Sequence, residues 1–261
     1  MLDAAKKAGK SPETIIIAPH FLTEDDVNTH NPGSDVPFWT TDSWKGGDDS
    51  LSTSTNPRAA HISSFEVVDV IMARLADPNV FPNLHRVVLA GHSAGGQFVQ
   101  RYATANTERL PTLYIVANPS SYLYMDKQRW TASSPEFAVP SPQEQSICPL
   151  YNHYKYGLEG LNIYMQVAGV SKIRSQYAQR RVTYLLGEKD NDPNHDELDK
   201  TCPAGLQGRH RLERGTVFYS YIQHYYGAGI QGQHTKVTVP GVGHSAGAMF
   251  NSTQGIHEIF A

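Results

Sequence analysis

The chain has 261 residues, with 22 Lys plus Arg against 25 Asp plus Glu, a formal net charge of −3. That balance excludes an electrostatic nucleic-acid binder, which needs a basic stripe to neutralise phosphates. Hydrophobic residues at 39% and charged ones at 18% exclude a disordered or fibrous chain, and no apolar run approaches the roughly 20 residues of a membrane-spanning helix.

The opening Met1-Leu2-Asp3-Ala4-Ala5-Lys6-Lys7 lacks the apolar core of a signal peptide and leaves localisation open. Residues 2–9 read as a helix ending at Gly9. The β-branched run 14–18, closed by Pro19, predicts a buried strand. Residues 22–59 are polar, carry Pro32, Gly33, Gly46 and Gly47, and read as a long loop. Ile62, Phe65, Val68, Ile71, Met72 and Leu75 recur at helical spacing over 61–77. A strand follows at 86–91, a helix from 94 to 104, and a strand at 112–117.

Residues 118–180 differ. Pro119, Pro135, Pro140, Pro142 and Pro149 interrupt them, aromatics are dense and periodicity is weak. They read as a cap- or lid-like insertion over one end of the sheet, inside a single domain spanning 1–261. Residues 181–187 predict a strand. Residues 205–226 predict a helix with Leu206, Leu212, Phe218, Tyr221, Ile222 and Tyr225 inward, weakened by Gly208 and Gly215. A last strand at 235–239 and a helix from 246 to 260 complete the chain. Strands alternating with helices predict an α/β class, a mostly parallel, doubly wound sheet with helices on both faces.

The chemistry concentrates in Gly91-His92-Ser93-Ala94-Gly95, a G-x-S-x-G pentapeptide between a strand and a helix. That context holds the serine in a strained corner and thrusts its hydroxyl above the carboxyl end of the sheet. The Ala94 N–H, at a helix N-terminus, can then face a developing oxyanion. A serine hydroxyl needs a base. His244, in Pro240-Gly241-Val242-Gly243-His244 after the last strand, is the best placed of 12 histidines. His92 is expected to pack or to touch substrate; His153 and His195 are expected to face solvent. The base needs an orienting carboxylate. Asp190, just past strand 181–187, is preferred, with Asp192 next and Asp196 and Glu188 also near. No Gly-rich phosphate loop, Cys-x-x-Cys or His-Glu-x-x-His occurs, so no cofactor or metal is expected.

Gly91-His92-Ser93-Ala94-Gly95-Gly96, Gly187-Glu188-Lys189-Asp190 and Gly243-His244 together resemble the α/β-hydrolase fold superfamily, across residues 86 to 250. The resemblance implies hydrolysis of an ester or related acyl bond in a small-molecule substrate, without metal, through an acyl-enzyme on Ser93. It leaves the oligomeric state open. It also implies strands before the elbow, and only 14–18 precedes it here. Either 14–18 is the strand beside 86–91, with His20 or Phe21 in an oxyanion loop, or it lies one place further out. The second reading fits helices 2–9 and 61–77 better. It leaves the sheet short of a strand, so an N-terminally shortened, catalytically impaired relative with an incomplete oxyanion hole is the alternative expectation.

Three features stay open or bland. Tyr122, Tyr124, Tyr151, Tyr154, Tyr156 and Trp130 either wall a pocket or form the insertion's own core. Cys148 and Cys202 are either bridged, pinning the insertion to the acid loop, or two buried thiols. The run 209–214 reads as a charged, solvated helix face.

Overall fold

The computed structural model describes residues 1–107, 109–131 and 136–261; Pro135 lies outside the described residues. Four strands build the main sheet: β1 (Val87–His92), β2 (Thr112–Ala117), β5 (Arg181–Gly187) and β6 (His234–Val239). They lie in the order β1-β2-β5-β6, all parallel. A short antiparallel hairpin, β3 (Arg129–Thr131) and β4 (Glu136–Ala138), stands apart. Every residue of β2 is buried, as its unbroken apolar run requires of a strand covered on both faces.

Alternate residues of these strands enter two cores. Tyr114, Val116, Val182 and Tyr184 pack with Phe65 and Val68 of α3 (Ser64–Leu75), Phe98 and Tyr102 of α4 (Ala94–Ala105), Ile173 of α7 (Val170–Tyr177) and Phe218 of α9 (Arg211–Tyr226). Leu113, Ile115, Ala117 and Leu185 pack with Met249 and Phe250 of α10 (Ala246–Phe250) and Ile259 of α11 (Thr253–Phe260). Helices therefore cover both faces, and α1 (Leu2–Lys7) joins α11. Among the described residues no helix is long and apolar enough to cross a membrane.

The structure corrects the sequence reading in several places. Residues 14–18 form no strand. Among the described residues the sheet ends at β1 and no strand pairs with the run, and Ile15, Ile16 and Ile17 are 65%, 40% and 49% exposed. Extended backbone becomes a strand only when another supplies hydrogen bonds. Within 22–59 lies α2 (Glu24–His30), closed by a reciprocal cap between Thr23 and Asp26. Phe38 and Trp39 of the same stretch are buried, and the Trp39 indole donates to the Asp48 carbonyl at 3.0 Å. The expected helix at 205–226 is two, α8 (Cys202–Gly205) and α9, separated at Gly208, whose φ is 140°. The final helix likewise divides at Ser252, which caps α11 through the Gly255 N–H.

Residues 118–180 hold β3, β4, α5 (Pro142–Ile147), α6 (Ile163–Ala168) and α7. Tyr122 and Tyr124 join the main core, stacking on or standing edge-on to Phe218, whereas Trp130 is half exposed. Cys148 and Cys202 are bridged, which ties this segment to the start of α8. Arg211 and Arg214, expected on a solvated face, are almost wholly buried. Arg211 donates to the Glu197 carbonyl of the acid loop, and Arg214 donates to the carbonyls of Asp199 in that loop and of Ser120 after β2.

Candidate active site

The site grows from the turn between β1 and α4. Ser93 has φ 57° and ψ −118°, a left-handed conformation rare outside glycine. Its N–H donates to the Ala117 carbonyl at 2.9 Å, fastening the turn to the end of β2. Its side chain does not cap α4, so the hydroxyl is free for another partner. Two glycines make room for the turn. A Cβ at Gly91 would lie 2.1 Å from the Gly95 carbonyl oxygen, and one at Gly96 would lie 2.6 Å from that of Ala117. Ala94 opens α4, which places its N–H at the positive end of a helix.

His244 comes from the loop after β6. Its Nε2 is 2.9 Å from Ser93 Oγ and its Nδ1 is 2.7 Å from Asp190 Oδ2. The Asp190 contact places the ring proton on Nδ1 and leaves Nε2 as the acceptor of the Ser93 hydroxyl. The loops carrying the two residues touch. Lys189 N–H donates to the Val242 carbonyl at 2.8 Å. Gly187 permits the approach, because a Cβ there would stand 2.6 Å from that same Val242 oxygen.

Asp190 is 4% exposed. A buried carboxylate needs compensation. Besides His244 it faces the buried Arg211, whose Nη1 lies 3.6 Å from Oδ1. Burial pushes the Arg211 pKa down, and the Asp190 charge acts against that shift. Asp192 is exposed and spends Oδ1 on the Asn194 N–H, so it is not the partner of His244. Phe21 is not brought into this chain of contacts. Its ring stacks on Trp44 and meets Trp39 and Phe98.

Two more histidines flank His244. The His92 ring centroid is 4.6 Å away, and burial, with His244 adding repulsion, pushes its pKa down to about 4. His195, expected in solvent, stands edge-on to His244 at 5.1 Å. The acid loop folds back over His244 because Ser120 and Arg211 bind its Glu197 carbonyl. Sequence reasoning also missed Arg211 and Asn118. The signal for Asn118 was present, since a polar residue directly past a buried strand occupies the same kind of position as Asp190.

The whole arrangement sits at the carboxyl ends of parallel strands, where open α/β sheets place their sites. It can accept a proton from Ser93 Oγ and hold the resulting imidazolium against a carboxylate. Solved structures similar to the chain include a depolymerase and a hydrolase. LpqC, a poly(3-hydroxybutyrate) depolymerase from Bordetella parapertussis, is 23% identical, with a TM-score of 0.60 over 95% of this chain and 69% of its own. Poly(aspartic acid) hydrolase-1 from Sphingomonas sp. KT-1 is 24% identical, with a TM-score of 0.58 over 99% of this chain and 81% of its own. No family model and no curated protein matches the chain. Its fold is that of the α/β hydrolases.

Proposed function

We propose that this protein is a serine hydrolase of carboxylic esters, with Ser93 as nucleophile, His244 as base and Asp190 as the orienting acid. One observation supports the reading above all: the unbroken contact chain Ser93 Oγ–His244 Nε2 and His244 Nδ1–Asp190 Oδ2, on a left-handed serine at a helix N-terminus. In this reading His244 takes the Ser93 proton as Oγ attacks the ester carbonyl carbon. The carbonyl oxygen becomes an oxyanion facing the Ala94 N–H. The tetrahedral intermediate collapses, His244 returns the proton to the departing alcohol, and an acyl-enzyme remains on Ser93. Water, deprotonated by His244, then attacks the acyl carbon; the acyl–Oγ bond breaks, His244 returns the proton to Ser93 Oγ, and the acid leaves. Asp190 keeps the proton of the neutral ring on Nδ1 and stabilises the imidazolium.

A second reading, a relative that is catalytically impaired, draws on the place of β1 at the sheet edge. The usual second oxyanion donor comes from the loop of a neighbouring strand, and losing one donor costs roughly 10²–10³ in rate. Labelling with a fluorophosphonate, followed by mass mapping, separates the two. Modification of Ser93, together with turnover of a short-acyl p-nitrophenyl ester that Ser93→Ala abolishes, is the expected result. Folded protein that resists the label favours the second reading. Ester turnover unchanged in Ser93→Ala overturns the role of Ser93.

A further inference from the structure

Asn118 is the first residue past β2, wholly buried, with φ 44°. Asn, Asp and Gly are the residues that tolerate this left-handed backbone. Its N–H donates to the Leu185 carbonyl of β5 at 3.2 Å. Its side chain then reaches two other strand ends. Oδ1 accepts the N–H of Gly187, the last residue of β5, at 2.8 Å. Nδ2 lies 3.4 Å from Nε2 of His92, the last residue of β1 and the neighbour of Ser93.

The two contacts constrain each other. An N–H can bond only to the oxygen end of the amide, so the nitrogen end faces His92 and donates. His92 Nε2 must then accept, and the neutral ring carries its proton on Nδ1. The site is crowded, since a Cβ at Gly187 would meet Asn118 Nδ2 at 3.2 Å and the Gly243 carbonyl oxygen at 3.1 Å. One side chain thus touches the strand that leads to Ser93 and the strand that leads to Asp190.

We propose that Asn118 is a positioning residue: it clamps the ends of β1 and β5 together and locks a neutral His92, in its Nδ1–H tautomer, beside His244. Its effect on rate rests on the serine-hydrolase reading; the clamp and the tautomer do not. His92 faces His244, Asp190 and Arg211. Were His92 charged, it would oppose the imidazolium that His244 becomes during proton transfer. The amide of Asn118 fixes the ring without adding charge. A carboxylate in its place would still accept from Gly187, but would draw a proton onto His92 Nε2.

The test uses Asn118→Asp and Asn118→Gly, both compatible with φ 44°. The first readout needs no activity. Nitrogen-15 NMR of the histidine rings in Ser93→Ala protein is expected to show His92 protonated on Nδ1 alone at neutral pH. Adding Asn118→Asp is expected to put a proton on Nε2. The second readout is kinetic, in protein with Ser93 intact. Both variants are expected to lower kcat on a short-acyl p-nitrophenyl ester by about tenfold to a hundredfold, with KM changed less. Asn118→Asp is also expected to shift the pH profile of kcat/KM. A merely structural Asn118 would lower the melting temperature and leave tautomer and pH profile alone, and that pattern overturns the proposal. So does a His92 that carries its proton on Nε2 in the Ser93→Ala protein. Should wild type fail to turn over esters, the serine-hydrolase reading falls, and the NMR result still decides the clamp.

Discussion

At Ser93 the backbone holds a conformation that costs of order 1–3 kcal/mol in isolation. Neighbouring glycines make that turn possible, and they are not equivalent. A Cβ at Gly96 would press into the Ala117 carbonyl, the same group that accepts the Ser93 N–H, whereas one at Gly95 meets nothing within 4 Å. Gly96→Ala is therefore expected to lower stability by about 1–3 kcal/mol, the range for overpacking. Gly95→Ala is expected to unfold at or above the wild-type urea concentration, since alanine also suits a helix better. Equal losses in the two variants would show that the pentapeptide spacing, not the close approach of backbones, governs the turn. In the sequence, Gly91, Gly95 and Gly96 carry equal weight, because a pattern records residue types and not distances. The same limit applies to the choice between Asp190 and Asp192. Both follow one strand, and only the turn closed by the Asp190 N–H onto the Gly187 carbonyl aims the first of them inward. His195 was out of reach for a related reason. Its place beside His244 depends on contacts from residues distant in sequence from the acid loop, such as Ser120 to Glu197.

Among elements, the strands were the most legible. β2 and β5 fall where their apolar runs predict, because a strand buried on both faces is apolar at nearly every position. The run at 14–18 has the same composition and forms no strand, since pairing is a property of two segments and composition belongs to one. Gly215 shows the converse case, a residue that counts against its helix and yet serves it. A Cβ at this position of α9 would lie 2.5 Å from Leu186 Cδ2 and 2.8 Å from the Tyr122 hydroxyl. Both neighbours are fully buried and have little room to yield. Glycine thus lets α9 lie close on β5. Propensity alone favours Gly215→Ala by about 0.5–1 kcal/mol, while overpacking costs about 1–3 kcal/mol. Overpacking outweighs propensity, and Gly215→Ala is expected to lower the urea midpoint. A raised midpoint would mean that α9 can lift off the sheet at little cost.

For the molecule as a whole, acid is the condition that tests the core. His234 is fully buried at the start of β6. Its Nδ1 accepts the Tyr184 hydroxyl at 2.9 Å, and its Nε2–H donates to the Tyr177 carbonyl at 2.8 Å. Tyr184 in turn meets the Tyr177 hydroxyl at 2.9 Å, so the ring closes a buried polar network between β5, β6 and α7. Burial pushes the His234 pKa down from 6.5 to about 4, against the smaller pull of the Tyr177 carbonyl. The unfolded chain binds the proton at the ordinary value and the folded one does not. Between those two values the unfolded state holds more protons, so stability is complete above about pH 6.5 and drains as pH falls toward 4. The slope for one such group is about 1.4 kcal/mol per pH unit, or about 2 kcal/mol between pH 6.5 and 5. His92, shifted in the same direction, adds to the loss with the same sign. His234→Gln keeps a donor and an acceptor but cannot titrate. It is expected to start less stable at pH 7 and to lose about 2 kcal/mol less than wild type on going to pH 5, as read from urea unfolding at both values. An equal loss in the two proteins would place the acid sensitivity outside this network.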